Sequence, residues 1–178
     1  MDPQQLVALD IRSEFLDLSY ELFCDRGSFD ASFVVDDVLA PRTEEREKGM
    51  QSLEGQMMFV HAASFLHLFG WDDQLRACTA LARLLRREAG AMILGRFVGS
   101  VEPGEYPHAT NPSGVMYSHD EETFQKLWRA VAGRMGDGEQ AEWSAKASFH
   151  DPKVHSASSR ANWKGSKFLV MRFEIVRL

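Results

Sequence analysis

The run Leu6-Val7-Ala8-Leu9-Asp10-Ile11 reads as a buried strand ending in an acid, with Phe15, Leu18, Leu22 and Phe23 following at helical spacing, yet the first glycine of the chain is Gly27. A strand-end carboxylate that leads into a helix is how nucleotide-binding α/β folds hold a ribose. Such folds set a glycine-rich turn one βα unit upstream, because the backbone must approach the ligand where a Cβ would collide. Here the acid is present and no glycine precedes it. The chain therefore reads as a parallel α/β sheet entered one βα unit late.

The pattern continues in the same style. Ser32-Phe33-Val34-Val35 is a second strand that closes on Asp36-Asp37, and Met57 to Ala62 is a continuous apolar run of the kind buried in parallel sheets. Asp72 and Asp73 are placed to cap a helix striped by Leu75, Cys78, Leu81, Ala82 and Leu85, with Gly90 as its stop. Ala91 to Leu94 is a fourth strand, and a long polar loop from Gly99 to His119 comes next. Ser118 to Glu121 reads as a capping box opening a helix with Phe124, Leu127, Trp128, Val131 and Met135 on one face. Trp143 to Phe149 and Phe168 to Leu178 form a closing antiparallel pair, the second alternating Leu169, Met171, Phe173 and Ile175.

Composition narrows the function. The 178 residues, 44% hydrophobic and 26% charged, suit a single domain over 1–178. A net charge of -6 argues against a nucleic-acid backbone binder, and the mixed charges of Arg42 to Lys48 read as solvated. No apolar run approaches the roughly 20 residues of a membrane span, and no leader pattern opens the chain. Cys24 and Cys78 lie in apolar helical patterns without a CxxC neighbour, so both are expected as core thiols of a cytoplasmic protein. His150 and His155 have no acid at ligand spacing, which speaks against a metal site.

Three ordered phrases carry a family resemblance. They are Asp10-Ile11-Arg12-Ser13-Glu14-Phe15 with Tyr20-Glu21-Leu22-Phe23, then His61-Ala62-Ala63-Ser64-Phe65-Leu66-His67-Leu68-Phe69, then Gly99-Ser100-Val101-Glu102-Pro103-Gly104-Glu105-Tyr106-Pro107. Together with the element order, they resemble class I S-adenosylmethionine-dependent methyltransferases of fungal natural-product clusters, which act on polyketide and meroterpenoid intermediates. The resemblance implies a Rossmann-like methyltransferase sheet without its first strand and glycine loop, ending in an antiparallel hairpin. The family sheet runs third, second, first, fourth, fifth, seventh, sixth strand.

Carried across, the resemblance gives Asp10 as the acid that accepts the cofactor ribose hydroxyls. Asp37 is the acid facing the adenine amino group, and Val38 offers a backbone N–H to the ring. For Asp10 a helix-entry cap is an equal reading. His61 and His67 border the strand end next to the transferred methyl group and are the acid/base candidates; for His67 the alternative is a structural histidine with one satisfied hydrogen bond. Tyr106, His108, Met116, Tyr117 and His119 match a substrate-side lid. Tyr106 reads equally as a surface ring and His119 as a first-turn helix residue.

The absent glycine loop implies that S-adenosylmethionine binds weakly or not at all. Three functions follow: a small-molecule cyclase or isomerase without a cofactor, a methyltransferase lacking its N-terminal unit, or a non-catalytic partner of an intact methyltransferase. The strands at Leu6 and Met57 would each keep an unpaired edge. They are expected either to pair directly in a contracted sheet or to be completed by a homodimer through the gap.

Overall fold

The computed structural model describes residues 5–28, 31–42, 49–108, 111–135, 142–149 and 167–178. They group in two compact units, Met1–Glu54 and Gly55–Leu178. Most of the Arg42 to Lys48 charge run, and His150 and His155, lie outside the described residues.

In the first unit β1 (Val7–Asp10) and β2 (Ser32–Val35) pair in parallel, Val7 opposite Ser32 and Asp10 opposite Val35, with α1 (Ser13–Phe23) between them in sequence. Parallel neighbours need such a crossover. The helix forms where its apolar spacing predicts, but only Leu16 is buried, and Tyr20 packs on Phe33 at 4.9 Å between ring centroids. Phe15, Leu18, Leu22 and Phe23 point outward, 54% to 73% exposed. The chain leaves α1 through Cys24 in the left-handed conformation (φ 54°). Cys24 is exposed, which corrects its reading as a core thiol; Cys78 is buried as expected.

The second unit is built from β3 (Phe59–Ala63), α2 (Trp71–Leu84), β4 (Met92–Ser100), β5 (Gly104–Pro107), β6 (Val115–Ser118), α3 (Glu121–Arg134), β7 (Trp143–Phe149) and β8 (Phe168–Arg177). Its main sheet has the order β3-β4-β8-β7, parallel at the first pair and antiparallel at the other two. Within the first unit the order β2-β1, and within the second the order β3-β4-β8-β7, each match the expected order of the corresponding family strands. Within its own unit, β1 is laddered to β2, and β3 to β4.

The alternation along β8 buries Met171, Phe173 and Ile175, while Arg172 and Glu174 are exposed. Ile93 and Phe97 of β4 join the buried set, with α2 giving Leu75, Cys78 and Leu81 and α3 giving Phe124, Leu127, Trp128 and Val131. Phe97, Phe124 and Phe173 form an aromatic triangle with centroids 5.3 to 5.7 Å apart. Each such side chain contributes about 1.5–3 kcal/mol on burial.

Three local expectations shift. Gly70, not Asp72 or Asp73, is the N-cap of α2, leaving the two acids in its first turn, where they favour the positive end of the helix dipole. The helix stops at Leu84, and Gly90 instead takes φ +89° in the turn before β4. The capping box of α3 is formed by Asp120 and Thr123: the Asp120 carboxylate accepts from Thr123 N at 2.8 Å, and Thr123 Oγ1 accepts from Asp120 N at 3.0 Å. The loop from Gly99 to His119 contains the β5–β6 hairpin, with Tyr106 opposite Met116. No helix among the described residues is long and apolar enough to cross a membrane.

Candidate active site

In the first unit the acids gather where β1 and β2 end. Asp10 Oδ1 accepts from Arg12 N at 2.8 Å and so caps the turn into α1, while no hydrogen bond engages Oδ2 among the described residues. Asp36 is structural, its two oxygens accepting from Asp37 N at 2.8 Å and Met50 N at 3.0 Å. Asp37 Oδ1 accepts from Leu39 N at 2.8 Å, and the Val38 N–H has no acceptor among the described residues. A parallel strand pair thus presents at its carboxyl end two carboxylates, Asp10 and Asp37, each with an oxygen that no hydrogen bond engages among the described residues, and one idle N–H. A nucleoside needs that set.

The second unit holds the substrate-side candidates. The strand β3 leads into Ser64, a non-glycine residue at φ 54°, and then into a 3₁₀ turn over Leu66–Leu68. Backbone held in that region is a cost that surrounding contacts must impose, and it concentrates at functional sites. His67 lies in this turn. Its Nδ1 is buried with no hydrogen-bond partner, and burial, reinforced by the nearby His108, lowers its proton affinity below the usual imidazole range. His108 Nδ1 accepts from Asn111 N at 3.0 Å, which fixes its ring beside the hairpin. His61 is placed elsewhere: it is the third residue of β3, opposite Leu94 on the exposed face of the sheet.

Two residues of the expected lid use their polar groups inside the protein. Tyr106 closes the base of the hairpin, its hydroxyl donating to the Glu102 carbonyl, its ring 4.8 Å from Phe168 and lying 4.6 Å from the Lys167 ammonium. His119 is fully buried, with Nε2 3.0 Å from Gln74 Oε1 and Nδ1 3.2 Å from Thr123 Oγ1. Gln74, equally buried, donates through Nε2 to the carbonyls of Phe69 (3.0 Å) and Tyr117 (2.7 Å). Its oxygen must then accept, so the proton of neutral His119 sits on Nε2. Burial pushes the His119 pKa down to about 4. The Gln74–His119 pair therefore ties α2 to β6 and to the start of α3, and holds the hairpin that carries Met116 and Tyr117.

Tyr117 packs edge-on against Trp71 at 5.0 Å and against His119 at 4.6 Å, and its half-buried hydroxyl is harder to ionise than a free phenol, first because of burial. Met116 is half-buried beside Tyr106. Sequence reasoning missed Ser64, Gln74 and Trp71. Gln74 carried no signal, being one polar residue in an amphipathic helix. No group of His, Cys, Asp or Glu able to hold a metal occurs among the described residues.

Known proteins are similar to this chain. No family model matches the chain. The O-methyltransferase phiE of Fungal sp. (strain ATCC 74256) is 35% identical over 133 residues, 75% of this chain and 43% of phiE. The O-methyltransferase atr3 of Stereocaulon alpinum is 28% identical over 175 residues, 98% of this chain and 47% of atr3. The chain is a relative of these fungal methyltransferases. It spans about half the length of the curated relatives it matches.

Solved structures agree on the fold of this methyltransferase relative. The Burkholderia thailandensis 1,6-didemethyltoxoflavin-N1-methyltransferase, solved with S-adenosylhomocysteine, superposes with a TM-score of 0.61 at 13% identity, covering 97% of this chain and 61% of that one. The [4+2]-cyclase SpnF superposes with a TM-score of 0.56 at 10% identity, covering 96% and 65%. The architecture is a Rossmann-like α/β fold with a mixed sheet.

Proposed function

We propose that this methyltransferase relative is a small-molecule enzyme in which His67 takes a proton from a phenol or enol held between the end of β3 and the β5–β6 hairpin. The proton leaves the substrate oxygen or α-carbon for an imidazole nitrogen and is returned to another substrate atom, which gives cyclisation or isomerisation without a cofactor. The observation that carries this reading is the buried, unpartnered Nδ1 of His67, kept neutral at ordinary pH by burial and by His108. That the fold serves a protein described as a cyclase supports it. The two unpaired cysteines fit the cytoplasm.

A second reading, methyl transfer, is favoured by the idle Asp10 Oδ2 and Val38 N–H. Asp10, Asp37 and Val38 would hold the nucleoside of S-adenosylmethionine, which supplies an electrophilic methyl group. A calorimetric titration with S-adenosylmethionine tests this reading: binding that Asp10→Ala weakens about tenfold supports it, and equal binding by both chains sinks it.

Phenolic and enolisable carbonyl compounds, offered with and without S-adenosylmethionine, separate the two readings by product mass. An isomer of unchanged mass without the cofactor supports the first; a product one methyl heavier, only with the cofactor, supports the second. His67→Ala should lower the rate by about 100-fold, while His61→Ala leaves it intact. Because the His67 pKa lies below 6.5, the rate should rise with pH only below that value and be level above it. A rate that still climbs above pH 6.5 would assign the proton transfer to another group.

A further inference from the structure

One charged side chain of the second unit is walled in without a counter-ion. Arg177, at the end of β8, is 8% exposed and stands on the same face of the strand as the buried Met171, Phe173 and Ile175. A guanidinium cannot shed its proton to escape burial, so a buried one is normally paired. Among the described residues Arg177 has neither a carboxylate partner nor a hydrogen bond from its side chain. Glu142 is brought close by the ladder, its carbonyl accepting from Leu178 N at 2.9 Å, yet it is exposed and makes no ion pair among those residues.

Two more donors are idle beside it. The register sets Trp143 of β7 opposite Arg177, and the guanidinium carbon lies 5.4 Å from the Trp143 ring centroid. The Trp128 ring of α3, 2% exposed, is 6.0 Å from the Trp143 ring. The indole Nε1 of each tryptophan is buried, and neither meets an acceptor. An indole nitrogen can only donate. The aromatic face attracts the cation but leaves the N–H groups along the guanidinium edge unmet. Buried polar groups are satisfied almost everywhere in folded proteins. Here the deficit is all of one kind, donors around a cation that want an acceptor.

We propose that Arg177, Trp143 and Trp128 form a binding site for a small oxyanion, a carboxylate or a phosphate group, where α3, β7 and β8 meet. The guanidinium fork matches two oxygens of either group, and the indole N–H groups supply further bonds. All three residues belong to the second unit, on elements that pack against one another. The site stands apart from the hairpin. Phe168, which packs on Tyr106, begins β8, and Arg177 ends it, about 30 Å away at a strand's rise per residue. A bound anion therefore steadies the corner that joins α3 to the closing strands and leaves the chemistry at His67 alone.

The test is a titration of the whole chain with inorganic phosphate and, separately, with acetate, each against chloride at matched ionic strength, with the indole N–H groups followed by NMR. The Trp128 and Trp143 resonances should move together along one saturable curve with at least one probe, while that of Trp71 stays still. Saturation by phosphate alone marks a phosphoryl ligand, and by acetate alone a carboxylate ligand. Arg177→Lys, which keeps the charge and loses the fork, should raise the midpoint about tenfold or more. Resonances that ignore both probes overturn the proposal, as do shifts that chloride reproduces; neither outcome needs a variant. A midpoint unchanged by Arg177→Lys also overturns it. So does a saturable shift that appears only with Asp137→Asn and Glu139→Gln together, because an acid of the chain itself is then the partner.

Discussion

Gly95→Ala should unfold the second unit at markedly lower urea than the parent chain, a loss of about 3 kcal/mol. A Cβ at Gly95 would lie 2.0 Å from the Ala62 carbonyl oxygen, 2.7 Å from its carbon and 2.9 Å from Phe173 Cε1. Two of those three atoms are backbone, and Ala62 is the partner of Gly95 in the β3–β4 ladder, so the strands must part to admit a methyl group. Trimming Phe173 to Leu in the same chain should not rescue it. Gly90→Ala provides the contrast: nothing lies within 4 Å of that Cβ, and only the φ of +89° is strained, at a cost of about 1 kcal/mol. Equal urea midpoints for the two variants would refute this account of the sheet.

Acid should destabilise the second unit well above the carboxylate range, through His119. Its pKa in the fold is about 4, against 6.5 when free. Because the folded value is depressed, the stability is fully present above pH 6.5 and is lost as pH falls from 6.5 toward 4, where it amounts to about 3 kcal/mol. His119→Gln removes the titration and should flatten urea stability across that window, whatever it does to absolute stability. A His119 resonance that titrates near 6.5 by NMR would contradict the burial argument. Gln74→Ala, which strips the imidazole of its acceptor and frees the carbonyls of Phe69 and Tyr117, should loosen the hairpin and dull His67 together.

Much of the fold was legible because period alone reports it. The alternation of Met171, Phe173 and Ile175 and the stripe of Phe124, Leu127, Trp128 and Val131 are local statements about which side of an element is dry, and both hold. The β5–β6 hairpin was hidden because each strand has four residues, one ends in Pro107, and a polar connection separates them. The cap of α3 slipped from Ser118 to Asp120 because several oxygen-bearing side chains in a row qualify, and only backbone geometry chooses. Of the candidate site, His67 and His108 were readable as residue types near a strand end. Nothing in their spacing said that His67 would have an idle nitrogen, or that His119 and Tyr106 would spend their polar groups inside the hairpin.

The sequence by itself determined the strands of the parallel and closing pairs and the three helices, and the acids at the ends of β1 and β2, since these follow from side-chain period and residue identity. The tertiary structure alone decided which apolar residues of an element are covered, which histidine is walled in and which is left with an idle nitrogen. Those outcomes depend on what lies across from a residue. A helical or strand period says that a face is apolar; only the neighbour brought against it from a distant part of the chain says whether that face is covered.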